Sequence, residues 1–153
     1  MAKPAAGRQA EIRPAVSDDI GAILSLDQFA ARGDHARAEF LRRCADLGEC
    51  LVYDDGSIGG FAVVRPAHFF GRDFVDLLMV DPARRRSGIG RALLRAALAN
   101  AGTGQVFTST NASNQPMLSL LRAEGWSLSG ELDGLDEGDP ELVFYKLRAD
   151  VPG

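Results

Sequence analysis

Apolar and polar positions change their period several times along the chain, and each change marks an element. Residues 11–16, Glu-Ile-Arg-Pro-Ala-Val, alternate and end at Ser17-Asp18-Asp19, which predicts a strand feeding a helix. Ile20, Ile23, Leu24 and Asp27 fall at i, i+3, i+4 spacing, a short helix. A second helix is expected from Asp34, its cap, to Gly48, its stop, with Phe40, Leu41, Cys44 and Leu47 as its apolar stripe. Two apolar runs flank Asp54-Asp55-Gly56-Ser57, whose chemistry suits tight reversal, so a hairpin is predicted there. Residues 74–80 are short, largely apolar and bounded by polar loops, as a central strand would be. From about Gly88 a helix places Leu94, Ala97, Leu98 and Ala101 on one face and stops at Gly102 and Gly104. Residues 105–110 read as the next strand, and Asn114 opens a helix with Met117, Leu120 and Leu121 inward and Gly125 at its C-terminal turn. Two last strands, about 126–132 and 142–147, flank an acidic loop.

The order is strand, two helices, three strands, helix, strand, helix, two strands. That sequence of elements predicts an α/β class fold in one layered domain over residues 11–150, with residues 1–10 as a short disordered tail. A length of 153 residues fits one domain. The formal charge of −4 argues against general affinity for nucleic acid or an anionic membrane. No run is long and apolar enough to span a bilayer, and the N-terminus has no apolar stretch of the secretory kind. Cys44 and Cys50 match no common zinc or redox spacing, so both are expected to be inert thiols, no metal is expected, and the cytoplasm is the default compartment.

Against that acidic total, residues 84–91 stand out: Arg84, Arg85 and Arg86, then Ser87, Gly88, Ile89, Gly90 and Arg91, between a strand and a helix. Free N–H groups of a helix's first turn and the helix dipole favour an anion, and glycine lets the backbone approach it. A triphosphate-binding loop would need Lys and Ser or Thr after its glycines, which are missing here. The dinucleotide fingerprint would need a third glycine where Leu93 stands. A third pattern, [QR]-x-x-G-x-[GA], is met in full from Arg85 to Gly90.

With its flanks, this stretch resembles the acetyl-CoA-binding motif of the GNAT N-acetyltransferase superfamily. Residues 114–126 resemble that family's later helix, N-x-x-A-x-x-L-Y-x-x-x-G-F, with Asn114, Leu120, Gly125 and Trp126 in register. The resemblance implies a mixed central sheet of about seven strands with about four helices, and acetyl-CoA as cosubstrate. It implies that backbone amides from Arg86 through Arg91, with Arg85, Ser87, Gly88, Ile89 and Gly90, cradle the coenzyme A pyrophosphate. Leu78, Met79 and Val80 would hold the pantetheine arm and polarise the thioester carbonyl. Asn114 would contact the cofactor from the far side, where the two parallel strands splay; it also reads as a plain helix cap.

Acetyl transfer to an amine needs a neutral amine, whose conjugate acid has a pKa of about 10, so a base or a desolvated pocket must take its proton. The developing oxyanion needs a donor, which the N–H near Val80 would supply. A thiol has a pKa of about 8.5, so the thiolate leaves with little acid assistance. The chain departs from the family where many members carry a Tyr acid: Leu121 stands there. Tyr145 is the expected substitute. Asp76 is the expected base, placed by strand parity on one face with Leu78 and Val80; water held by backbone groups is the other option. His35 and His68 are expected to be structural or surface residues. The acidic loop (Glu131, Asp133, Asp136, Glu137, Asp139, Glu141) would steer a cationic amine or simply aid solubility. The expected function is transfer of acetyl from acetyl-CoA to a primary amine of a small molecule or peptide, by a monomer or homodimer. A non-catalytic acetyl-CoA sensor is the alternative.

Overall fold

The computed structural model describes residues 7–149; residues 1–6 of the expected tail, and residue 150 of the expected domain, lie outside them. A seven-stranded sheet runs in the order β1-β2-β3-β4-β5-β7-β6. Its strands are β1 (Glu11–Pro14), β2 (Cys50–Asp54), β3 (Ile58–Phe69), β4 (Arg72–Val80), β5 (Gln105–Asn111), β6 (Ser127–Leu132) and β7 (Glu141–Leu147). Every pairing is antiparallel except β4 with β5. That parallel pair requires a crossover, and α4 (Ile89–Ala99) supplies it.

The helices lie on both faces because each has one apolar stripe. Ile89, Leu93, Leu94 and Ala97 of α4 are buried, as are Leu118 and Leu121 of α5 (Gln115–Ala123). Leu94, Ala97, Leu118 and Leu121 pack with Val75, Val106 and Phe144, and Ile89 and Leu93 with Ala62, on one side of the sheet. On the other side Ile23 of α1 (Ile20–Leu26) and Leu41 and Cys44 of α3 (His35–Asp46) pack on Cys50, Val52, Phe61 and Val63. This second layer covers β2 and β3. β5 alternates strictly: Val106, Thr108 and Thr110 are buried beneath α4 and α5, while Gln105, Phe107, Ser109 and Asn111 face the other way, half-buried.

Two boundaries differ from the sequence reading. Asp27 is not part of the first helix; it is the N-cap of a further short helix, α2 (Gln28–Ala31), its Oδ1 accepting from Phe29 N at 3.1 Å and Ala30 N at 2.9 Å. Among the described residues there are then five α-helices, four of them of seven residues or more, in keeping with the four or so expected. Residues 67–73, read as loop, instead close the β3–β4 hairpin. Buried Asp73 holds that end, accepting from Ala67 N (3.0 Å), Gly102 N (2.9 Å) and Thr103 Oγ1 (3.1 Å). A carboxylate with three donors tolerates burial, and no apolar pattern announces it.

Candidate active site

The two parallel strands stop pairing part-way. β4 and β5 are matched only at Asp73–Val106, Phe74–Phe107 and Val75–Thr108. Beyond that, β4 stays with β3 as far as Val80 and β5 stays with β7 as far as Asn111. The facing edges, residues 76–80 and 109–111, are paired on their outer sides only. They form a notch whose backbone N–H and C=O groups have no ladder partner across it.

The chain leaves the notch through a 3-10 turn at Pro82–Arg84 and enters α4. Side chains cap α2, α3 and α5 through Asp27, Asp34 and Asn114. For α4 the N-cap is Gly88, in the left-handed region at φ 85°, with no side-chain cap. Just before it Arg86, not a glycine, also has positive φ, 64°. A helix start without its own acceptor leaves its first amides available to an anion.

Gly59 and Gly60 on β3 bring that helix start down onto the sheet. A Cβ on Gly60 would sit 2.7 Å from Met79 O and 2.9 Å from Ile89 Cγ2; one on Gly59 would sit 2.8 Å from Ile89 Cδ1. This pair is a signal the sequence reading passed over, two adjacent glycines inside a strand.

The structure sorts the arginines. Arg84 fastens the loop to the β2–β3 turn: its guanidinium pairs with Asp55, donates to Ser57 Oγ at 3.1 Å and lies over the Tyr53 ring. Arg91 is paired with Glu124 of the α5 end, Nε to Oε1 at 2.9 Å, and Arg95 binds the same carboxylate at 2.7 Å. The hydrogen bond from Arg95 holds the Glu124 carboxyl below the usual carboxylate range, against the opposing effect of burial. Arg85 and Arg86 are exposed beside the uncapped helix start. Asn114 uses both ends of its amide, Nδ2 to Thr110 Oγ1 at 3.0 Å and Oδ1 from Met117 N at 3.3 Å, so its capping role is present at the notch wall.

Asp76 does not share a face with Leu78 and Val80. The register shifts from Val63–Leu77 to Val64–Val75, which leaves Asp76 as the extra residue of a β-bulge. Val75, Leu78 and Val80 pack toward α4 and α5, while Leu77 and Met79 pack toward α1 and α3. Asp76 goes with the second set: its Oδ2 is 3.6 Å from Arg65 Nη1, and that guanidinium lies 5.6 Å over the Phe40 ring of α3. Simple alternation fails because a bulge inserts one residue. Arg65 Nη1 also contacts His68 Nε2 at 3.2 Å. Tyr145 lies opposite Phe107, ring centroids 5.7 Å apart, on the face away from α5. Leu121 is fully buried in the core under α5.

In the acidic loop, Asp136 and Asp139 are occupied. Asp136 Oδ2 accepts from Asn111 Nδ2 at 2.8 Å, and Asp139 accepts from Ser113 N at 3.0 Å and Ser113 Oγ at 2.6 Å. They clip the loop to the end of β5. Cys44 and Cys50 are buried and free, and burial pushes the Cys50 thiol up to about 12. Among the described residues no cluster could hold a metal ion, and no helix is long and apolar enough to cross a membrane.

A sequence model of the Acetyltransferase (GNAT) family matches residues 18–126. The chain belongs to the GNAT acetyltransferase family. The GNAT acetyltransferase of Bacillus cereus is 34% identical, with a TM-score of 0.84 over 92% of this chain and 98% of that one. A Salmonella typhimurium acetyltransferase solved with its cofactor acetyl-CoA shares the fold at 19% identity, TM-score 0.73, over 94% of this chain and 96% of that one. Mycothiol acetyltransferase of Clavibacter sepedonicus is 36% identical over 85% of this chain. The chain spans only 44% of that relative's length. The seven-stranded mixed sheet of this GNAT domain agrees with the fold that the resemblance implied.

Proposed function

We propose that this GNAT domain moves an acetyl group from acetyl-CoA to a primary amine by direct transfer. The observation that carries the reading is the notch between β4 and β5 opening beside a helix start that has no cap of its own. Together these offer two neighbouring sets of unpaired backbone groups, at residues 78–80 in the notch and at residues 86–91 at the helix start. The two sets suit an extended amide-bearing arm ending in a pyrophosphate. Arg85, Arg86 and Ser87 line its phosphate end, and Gly88, Ile89, Gly90 and Arg91 supply amides. Leu78, Met79 and Val80 supply backbone groups in the notch, with Asn114 on the opposite wall.

When bound, acetyl-CoA supplies an acetyl group on a good thiolate leaving group. The chain's task is then to place an amine and take its proton. Asp76, on the bulge beside the notch, is the residue for that proton, and Arg65 holds its carboxylate toward the acceptor face. Tyr145, with Leu121 in the family's Tyr position, is the hydroxyl nearest in kind to the missing acid. The products are an amide and the free CoA thiol.

The test is a thermal shift with CoA, then thiol release over a panel of amines. Stabilisation by CoA with release on at least one amine is the expected result. Binding without turnover on any amine would favour the acetyl-CoA-sensing alternative, which the buried Leu121 keeps specific. No stabilisation would overturn both.

A further inference from the structure

On the same side of the sheet as α1 and α3, beyond the strands that those helices cover, a groove of about 570 Å³ crosses β5, β7 and β6. That volume is within the roughly 300–1,000 Å³ range of small-molecule sites. Its walls include Phe69, Phe70 and Arg72 of the β3–β4 turn, Phe107 of β5, Val143 of β7 and Leu132 of β6. Two ring contacts join its walls, Phe70 to Phe69 at 5.0 Å and Phe69 to Phe107 at 5.1 Å, and Phe107 also meets Tyr145 outside the groove at 5.7 Å.

The turn at one end is built against its own preference. Phe69 pairs with Arg72, leaving Phe70 and Gly71 as a two-residue loop with φ of 48° and 77°. Both values are left-handed, the signature of a type I′ turn, which favours Asn or Gly at its first position. An aromatic there is disfavoured, and it is 88% exposed. Arg72 braces the arrangement, donating to Phe70 O and to Gln105 Oε1, each at 3.2 Å. A strained, solvent-facing ring that gains one neighbouring ring from its own chain points to a role toward a ligand.

The β7 wall of the groove borders the β5 edge of the notch. Val143 is paired with Ser109, the first residue of β5 past the parallel pairing, and Leu132 with Glu141, itself opposite Asn111. Glu131 lines the β6 wall, and exposed Asp133 follows Leu132. The groove thus runs from rings at the β3–β4 turn to a carboxylate on the edge strand β6, level with the notch along the strands and separated from it by β7 and β5.

We infer that this groove seats the apolar body of the acceptor, with its amine directed past Val143 and Ser109 into the notch and Glu131 on the β6 wall drawing the cationic amine in. The acceptor class is a primary amine carrying a phenyl-sized or branched aliphatic group, rather than a polyamine. The inference rests on the acetyltransferase reading above.

The experiment measures steady-state transfer at saturating acetyl-CoA to 2-phenylethylamine and to 1,4-diaminobutane, for the native chain and for Phe70→Asn. Asn suits the left-handed turn, so the variant should fold with an unchanged or raised Tm. The expected kcat/KM is about tenfold higher for 2-phenylethylamine, from burial of the phenyl group. Phe70→Asn should raise the KM for that amine about fivefold, the loss of one ring contact, and leave the KM for acetyl-CoA unchanged. Equal use of the two amines, or no effect of Phe70→Asn on the acceptor KM, overturns the inference. Should Phe70→Asn instead convert a dimer to a monomer without moving that KM, the groove is an interface between copies and the inference fails. CoA binding with transfer to amines but without the preference defeats this inference alone; loss of CoA binding or of all transfer defeats the reading beneath it.

Discussion

The two sides of the notch are made of different materials. On the proposed cofactor side the working parts are backbone: unpaired strand edges, an uncapped helix start, and glycines that let them approach. On the proposed acceptor side they are side chains, Asp76 on a bulge, Phe70 on a strained turn, Phe107 and Tyr145 on neighbouring strands. Backbone sites depend on local residue types at fixed spacing. Side-chain sites depend on which distant strands meet, and at what parity. A cosubstrate shared by a whole family fits the first construction, and an acceptor particular to one member fits the second.

The largest effect expected from breaking this division is at Gly60. Gly60→Ala would put a methyl 2.7 Å from Met79 O, a backbone atom that cannot swing away. The variant should lose about 2 kcal/mol of stability by overpacking, and CoA affinity should fall with it as the α4 start lifts off the sheet. Denaturant unfolding and calorimetric titration with CoA measure the two. An unperturbed CoA affinity would separate the glycine pair from the cofactor wall.

The arginines sharpen the comparison further. Replacing Arg85 and Arg86 together by Ala should weaken CoA binding about tenfold, the loss of charged hydrogen bonds, with little change in Tm. Arg84→Ala should do the reverse, because Arg84 is spent on Asp55 and Ser57. Equal effects on CoA affinity from the two variants would contradict this assignment.

The smallest effect is in acid. Arg95 holds the Glu124 carboxyl below its ordinary range, and Arg13 does the same for Asp19. A depressed folded pKa means the stabilisation is fully present above the ordinary carboxylate value of about 4 and is lost as pH falls through the folded value. Tm should therefore decline below about pH 4, and Glu124→Gln should decline less steeply there. Parallel curves for the two proteins would remove Glu124 from the account.

The spacing behind the proposed cofactor side was legible in the chain. Arg85 to Gly90 and Asn114 to Trp126 carry their meaning in local spacing, and the structure brings the loop before α4 and the Asn114 cap of α5 to one notch. Asp76 was misplaced because parity assumes an unbroken strand, and nothing in residues 72–80 announces the extra residue. Asp136 and Asp139 read as free charge in the sequence, yet they are bound to Asn111 and Ser113, contacts that exist only once β5 and the loop meet. The aromatic groove was invisible for the same reason: Phe70, Phe107 and Leu132 belong to three separate strands or turns. Gly59-Gly60 was readable but unread, since a close approach has meaning only when the approaching helix is known.

The central claim is that backbone amides of the notch and of the α4 start hold the cofactor. Amide hydrogen exchange with and without CoA tests it most directly, because each amide reports its own protection. Slowed exchange at Val80 and at residues 86–91, with β6 and its loop unchanged, is the predicted result. Protection confined to other segments, or none at all while CoA binds, would contradict it.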